Sequence, residues 1–412
     1  MIARWACGVL AVYSLHAAAL AAAPDVSGEF TAGVWSSNRL LDDHGATPVA
    51  RLRAALDWQP TPDVSFNAEG WIAASPEQRD GRRRAAGLRE LYVLAPLLPC
   101  RPAVGQRVVV WGKTDGINPT DQVSPTDLRR LVSKDAEQRT GVWGLHLNCA
   151  AGPGRLQLHL LDGFRFNAVP LPASAGVTIT ETEPRVRPTL AVRYEMLGSA
   201  ADGALGWIEG HDLFPTLAVR SASAQGVQLE TTATRTRLLG GDLAFTRNAL
   251  VYRGEIAWVE PVGDAAAGVV AARRHGFVQA VAQVEASFAE RETLSMQVFA
   301  KQLRGAQAAP ADPLLAQLQA AQGLLSNEVD RRQAGITLRY AKPLWASRAD
   351  VELFALWAHP QREWLLRGRL NVEINAAWRL VSGFEVFRGP RESFLGHLRA
   401  NSLAFTELRF AW

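Results

Sequence analysis

The stretch of this chain best placed to do chemistry is charged and broken by glycines and prolines. It runs Trp111-Gly112-Lys113-Thr114-Asp115-Gly116-Ile117-Asn118-Pro119-Thr120-Asp121 and continues through Ser124-Pro125-Thr126-Asp127-Leu128-Arg129-Arg130. Its glycines and prolines force turns, which displays Lys113, Asp115, Asn118, Asp121, Asp127, Arg129 and Arg130 on a loop. Folded into a pore, such charges would set ion selectivity; left outside, they are simply solvated, and both placements are open. Asp115 to Asp121 has some of the look of a calcium loop but lacks the full ligand spacing and the closing glutamate. A second set consists of arginines at alternate positions: Arg193, Arg253, Arg339, Arg367, Arg369, Arg379 and Arg409, joined by Arg51 and Arg53. Asp57, Glu69, Glu195, Glu255, Glu373, Glu385 and Glu407 share their parity. The modest arginine excess would favour anions in an aqueous lumen, whereas pairing across neighbouring strands would only hold a wall together. His44, His211, His275, His359 and His397 fall in or beside loops without a Gly-x-Ser-x-Gly turn or metal-type histidine spacing. The expectation is therefore no catalytic centre, no metal and no cofactor.

The elements that would carry these residues read with a period of two. Leu52, Ala54, Leu56 and Trp58 alternate with Arg51, Arg53 and Asp57, and Leu190, Val192, Tyr194 and Met196 with Arg193 and Glu195. The same pattern returns at Leu250–Trp258, Phe277–Phe288, 336–340, 366–373 and 378–386, as expected of strands with one apolar and one polar face. Helical periodicity stands out only at 313–325, a short helix within a loop. Connections alternate in length. Short turns fall at Gln59–Asp63, Pro96–Val104, Cys149–Gly154, Gly198–Gly203, Thr246–Asn248, Ala289–Glu292, Ala341–Leu344 and Asn375–Ala377. Longer loops span 37–49, 74–86, 112–140, 162–187, 212–233, 260–273, 304–328, 358–362 and 389–400. Short turns on one side and long loops on the other mark an outer-membrane barrel. A β-sandwich also alternates, but the strand lengths and the lack of a domain break favour closure. The expectation is an all-β, transmembrane, antiparallel up-and-down barrel of about 16–18 strands, wide enough for an aqueous lumen. Within 212–233, Thr216–Arg220 and Val227–Thr231 could form a further hairpin.

Composition agrees. Arg4, the apolar run Trp5–Leu20 and Ala19-Leu20-Ala21 form a secretory signal peptide over residues 1–21, with Cys7 inside it, leaving 22–412 as the barrel. No later window reaches eighteen consecutive apolar residues, so helical spans are excluded. The mean hydropathy of −0.03 fits a wall whose lipid-facing and lumen-facing residues cancel. A net charge of +4 without a long basic run argues against nucleic-acid binding. Trp35, Trp58, Trp71, Trp111, Trp207, Trp258, Trp357, Trp364 and Trp412 fall near the ends of alternating segments, where an aromatic belt would lie. Cys100 and Cys149 flank the 112–140 loop on antiparallel neighbours, both at the periplasmic end. In that oxidising compartment a disulfide is one outcome, and two thiols more than about 7 Å apart the other.

The last strand, Ser402 to Trp412, places Leu408, Phe410 and Trp412 on one face and Glu407 and Arg409 on the other. A terminal strand ending on an aromatic resembles the assembly signal of Gram-negative outer-membrane barrels. It implies contact with the barrel-assembly machinery, and closure of that strand on the first abolishes sheet edges. The Trp111-Gly112 pair, Asn118-Pro119-Thr120-Asp121, Gly210–Pro215, Tyr252–Ala257 and Asn401–Leu408 together resemble an uncharacterised family of porin-like outer-membrane barrels, related in pattern to alginate-export-type barrels. The resemblance implies a bilayer-embedded pore with both termini in the periplasm. The function expected is passive passage of small hydrophilic, anionic solutes. The alternatives are export of an anionic polymer or, behind it, a barrel-borne hydrolase or acyltransferase.

Overall fold

Alternation along each strand becomes the inside and the outside of a wall. The computed structural model describes residues 23–41, 45–75, 84–171, 176–184, 186–223, 226–263, 270–288, 291–305 and 310–412. The expected leader at 1–21, with Cys7, and His44 lie outside them. The strands are β1 (Asp25–Trp35), β2 (Thr47–Thr61), β3 (Val64–Ala74), β4 (Arg84–Leu94), β5 (Cys100–Arg107), β6 (Val142–Ala151), β7 (Gly154–Leu161), β8 (Val177–Thr180), β9 (Thr189–Leu197), β10 (Ala201–His211) and β11 (Thr216–Ser223). They continue with β12 (Gly226–Thr232), β13 (Arg235–Arg247), β14 (Leu250–Pro261), β15 (Val270–Ala271), β16 (Gly276–Ser287), β17 (Thr293–Arg304), β18 (Arg332–Leu344), β19 (Ala349–His359), β20 (Glu363–Glu373), β21 (Trp378–Arg388) and β22 (Leu403–Ala411). Helix α1 (Pro313–Ser326) and the single turn α2 (Phe394–His397) lie in loops.

Eighteen strands form one sheet, each antiparallel to the next, and β22 pairs back onto β1 with Phe410 opposite Phe30 and Arg409 opposite Thr31. Closure leaves no unpaired edge, the condition for a sheet in hydrocarbon. The strand count lies at the top of the expected range. The 212–233 hairpin forms, as β11 and β12, but outside the barrel wall: with β8 and β15 it makes a separate four-stranded sheet at the loop end.

The two faces are inverted relative to a soluble protein. In β22, Leu408 is 38% exposed and Trp412 beyond it 53%, whereas Glu407 and Arg409 are 0% and 2%. Val34, Ile72, Leu205, Ile256, Val298, Ile336 and Leu366 continue the exposed apolar face, which a bilayer covers. The tryptophan expectation is corrected in part. Trp258, Trp357, Trp364 and Trp412 are exposed on the outer face, but Trp35 and Trp111 are buried inside the barrel. Trp35 stacks on Phe405 at 4.3 Å between ring centroids, and Trp71 carries the Arg130 guanidinium on its ring. Trp35 follows the inward parity of β1, and Trp111 lies beyond the end of β5, on the β5–β6 connection. Cys100 and Cys149 stand opposite each other in the β5–β6 register and are joined as a disulfide.

Candidate functional site: a strap across the lumen

The β5–β6 connection, residues 108–141, crosses the interior and is fastened to opposite sides of the wall. The first fastening is the Glu255 carboxylate on β14. Its Oε1 accepts from the Lys113 and Thr114 backbone N–H groups at 2.6 Å each and from Thr114 Oγ1 at 2.7 Å, and its Oε2 accepts from Thr120 Oγ1 at 2.9 Å. Next to it, Gln283 on β16 accepts from the Asp115 N–H and donates to its Oδ2, both at 2.8 Å. Gln297 on β17 donates to the carbonyls of Asp115 (2.6 Å) and Ile117 (3.0 Å). The Trp-Gly…Asn-Pro-x-Asp pattern now has a physical reason. Gly112 has φ +86°, and a Cβ there would sit 2.4 Å from Asn118 Oδ1 and 2.6 Å from Glu255 Oε1; only glycine fits. Asn118 Nδ2 returns to the Trp111 carbonyl at 2.8 Å, which closes the turn. The Trp111 indole then buries itself against Gly206, where a side chain would lie 3.1 Å from the ring.

The second fastening reverses the charges. Glu137 on the strap lies between Arg51 of β2 (3.2 Å) and Arg409 of β22 (3.3 Å). Arg409 also binds Glu407 at 2.8 Å and Glu29 at 3.1 Å and donates to Ser133 Oγ at 2.5 Å. Arg369 donates to the Ser133 carbonyl at 2.6 Å, and Arg367 binds Asp135 at 2.9 Å. Arg51, Glu137, Glu29, Glu407 and Arg409 are buried, and their mutual compensation is what makes that burial tolerable. Between the fastenings, Val109, Trp111 and Val123 of the strap pack against Val142, Leu161, Ile208, Leu238, Val259, Phe277 and Leu303 of the wall. The wide aqueous lumen expected from the strand number is therefore narrowed from within.

The space that remains beside the strap is basic. A cavity of about 380 Å³ is lined by Trp71, Arg84, Gly87, Asp127, Arg130 and Arg165. Through Asp127, Thr140 and Arg165 it adjoins a second cavity of about 370 Å³ under the outer sheet. Arg130 lies 4.0 Å over the Trp71 ring and donates to the Glu137 carbonyl. Among the described residues Arg84, Arg130 and Arg165 form no ion pair. Arg84 and Arg165 were missed by sequence reasoning, because no parity or motif signals that a loop arginine and a strand-end arginine share a cavity.

The residues singled out from sequence part company here. Lys113 turns to the wall, 3.8 Å from Glu195 and 3.9 Å from Asp242. Asp121 pairs with Arg139, and Asp115 lies 3.8 Å from Arg253, so the calcium-loop acids point at different partners. Asp127 and Arg129 approach each other at 3.8 Å, and Arg129 binds Glu181 at 3.1 Å. Of the lumen arginines, Arg193 pairs with Asp242 (2.6 Å), Arg253 with Glu285 (3.1 Å), Arg339 with Glu352 (2.6 Å), Arg367 with Glu385 (3.2 Å) and Arg369 with Glu352 (2.9 Å). Arg409 belongs to the strap fastening, and Arg379 is exposed at the turn end. Most of the set holds the wall together.

Above the strap, α1 and the outer sheet form a cap around Val169, Leu171, Leu217, Leu229, Leu318 and Leu325. Asp312 caps the helix by accepting from the Leu314 and Leu315 N–H groups. Gln322, fully buried, bonds the Leu217 N–H and the Pro215 carbonyl. Arg274 joins Asp212 to Glu328, the latter at 3.1 Å, and His275 Nδ1 lies 3.2 Å from Glu328. Burial would raise the Glu328 carboxyl, but Arg274, the His275 hydrogen bond and Lys301 hold it below the ordinary glutamate range.

No protein-family model matches the chain, and no curated protein matches it in sequence. Solved structures do. The outer membrane protein OpdK of Pseudomonas aeruginosa superposes with a TM-score of 0.58 at 10% identity, covering 94% of this chain and 98% of that one. OccK5 (OpdH) of the same organism gives 0.55 at 11% identity, over 94% and 97% of the two chains. OccAB3 of Acinetobacter baumannii gives 0.55 at 10% identity, over 94% and 98%. At this identity the shared property is the fold: along nearly its whole length, this chain is built as an outer-membrane protein barrel.

Proposed function

We propose that the protein is a porin-like channel of the Gram-negative outer membrane, passing small hydrophilic solutes passively and preferring anions. The observation that carries this is the strap: fastened on opposite walls, it reduces an eighteen-stranded barrel to a passage beside Arg84, Arg130 and Arg165. Among the described residues these three cations form no ion pair, and three positive charges beside the single carboxylate of Asp127 favour an anion in that passage. OpdK has been crystallised with vanillate, an aromatic carboxylate, and a solute of that size and charge suits this cavity. Residues 1–21 would leave as a signal peptide, both termini would lie in the periplasm, and Ser402 to Trp412 would engage the barrel-assembly machinery. The motif-level kinship to alginate-export-type barrels belongs to the same proposal; a strap this firmly held argues for solutes and against a polymer. The channel reading leaves no role for a catalytic group.

Single-channel recording of the refolded protein in a planar bilayer tests it, with and without residues 113–139. Stable ohmic steps that grow on deletion, with an anion-selective reversal potential in a salt gradient, are expected. Absence of conductance in both forms would refute the channel, and clear cation selectivity would refute the anion preference.

A further inference from the structure

Lipid-facing arginine is costly in hydrocarbon and tolerable only toward the interfaces, so where it occurs on this barrel calls for a partner. On β10 and β13 the loop-end arginines of the outer face have one: Arg235 and Arg237 both bind Glu209, the latter at 3.3 Å. Farther round the barrel the balance is lost. On β17, β18 and β21, the exposed Arg304, Arg332 and Arg388 share the outer-face parity of Val298, Ile336 and Phe384. Among the described residues they have no carboxylate partner. Arg304 lies 5.3 Å over the Trp258 ring, Arg332 Nε donates to Gln302 Oε1 at 2.8 Å, and Arg388 Nη1 donates to its neighbour's carbonyl at 2.8 Å. Asp330, at loop level nearby, accepts from Gln361, and Glu363 at the start of β20 is turned inward, its carboxylate accepting from the Leu395 N–H. Trp357 and Trp364 stand opposite each other in the β19–β20 register, with Arg388 opposite Trp364. Both tryptophans are exposed and mark the interfacial level.

We infer that this strip of outward arginines and tryptophans is a binding site for the phosphorylated headgroup of an outer-leaflet lipid. Guanidinium groups recognise phosphate bidentately, and the tryptophans cover the acyl–headgroup boundary beneath. Five adjacent strands, at about 4.8 Å spacing, give a strip roughly 19 Å wide, broad enough for more than one phosphate. The inference rests on the outer-membrane placement proposed above.

The test is saturable binding of fluorescent lipopolysaccharide to the refolded full chain in detergent, comparing the parent with R304Q/R332Q/R388Q. Weakening on the order of tenfold or more is expected in the triple variant, and a similar loss with enzymatically dephosphorylated lipopolysaccharide. R235Q/R237Q, on the balanced sector, should bind like the parent. Heat-modifiable mobility checks folding, and if the triple variant does not fold, R332Q alone should still bind several-fold more weakly. Equal binding by the parent and a folded triple variant would overturn the site, as would equal loss in the two arginine sets. Inorganic phosphate that competes at concentrations matching the lipopolysaccharide would show a free-ion site and overturn the lipid. Conductance is read independently. A triple variant that conducts normally but binds undiminished removes only the lipid site, and a parent that binds lipid without conducting removes only the channel.

Discussion

Glu255 shows how one side chain sets the shape of a passage. It spends both oxygens on the strap, three donors on one and one on the other. A hydrogen bond to a charged group is worth roughly 1.5–3 kcal/mol, so Glu255→Ala should release the Lys113–Thr120 end. Larger, noisier conductance steps and faster protease cleavage within 113–120 are expected; a current identical to the parent would mean that the apolar packing of Trp111 holds the strap alone. The arginines divide by the same logic of partners. Arg165→Gln should move the reversal potential toward zero and leave stability unchanged, since no described carboxylate depends on it. Arg193→Gln should instead leave the Asp242 carboxylate, whose side chain is 0% exposed, with Lys113 as its nearest cation. Losing a buried partner costs about 3–5 kcal/mol, which would appear as a lower denaturation midpoint with little change in selectivity.

At the scale of elements, the short-turn end of the barrel and the cap respond to different conditions. The Cys100–Cys149 bridge ties β5 to β6 below the strap across a sequence separation of 49. A link over a loop of that length stabilises by roughly 3–4 kcal/mol in the chain-entropy picture. Cys100→Ser/Cys149→Ser should therefore lower the denaturation midpoint in urea, and the intact mass of the parent should rise by two hydrogens on reduction. Two freely labelled thiols in the unreduced parent would contradict the bridge. The cap depends on Glu328. Its folded carboxyl is held below the ordinary value of 4.5, so the stability it contributes is present above that value and is lost as pH falls through the lower, folded one. Hydrogen exchange in α1 should accelerate below about pH 4.5 while the barrel strands stay protected. Unchanged exchange in α1 would show that Gln322 and the apolar cluster suffice.

At the scale of the whole molecule, a closed eighteen-stranded wall and a strap have separable stabilities. Deleting 113–139 removes the buried Val123 and Glu137 of the strap but no hydrogen bond between wall strands, so the deleted protein should keep heat-modifiable mobility on gels; failure to close would make the strap part of the barrel's folding core. The barrel was legible in the chain because closure repeats one local rule: alternation of period two, broken by short turns and long loops. That rule anticipated the strands of the wall and helical periodicity anticipated α1, whereas β8 and β15 lie within stretches expected as the loops 162–187 and 260–273, and β5 covers Cys100–Val104, expected as part of a turn. The rule also assigned Arg193, Arg253 and Arg409 to the inner face. It could not say what those side chains meet. Glu137 of the strap lies between Arg51 and Arg409, and Glu255 receives Thr114, through contacts separated by many tens of residues. The same limit put Trp35 and Trp111 in a belt when they lie inside, and it hid Arg84 and Arg165 at the cavity. By itself the sequence determined the wall, its two faces and its loop end, since each follows from neighbours along the strand. Only the tertiary structure decided the inward strap, the pairing of the arginines and which cations line the cavity beside it, because a partner across a lumen leaves no periodicity in the chain.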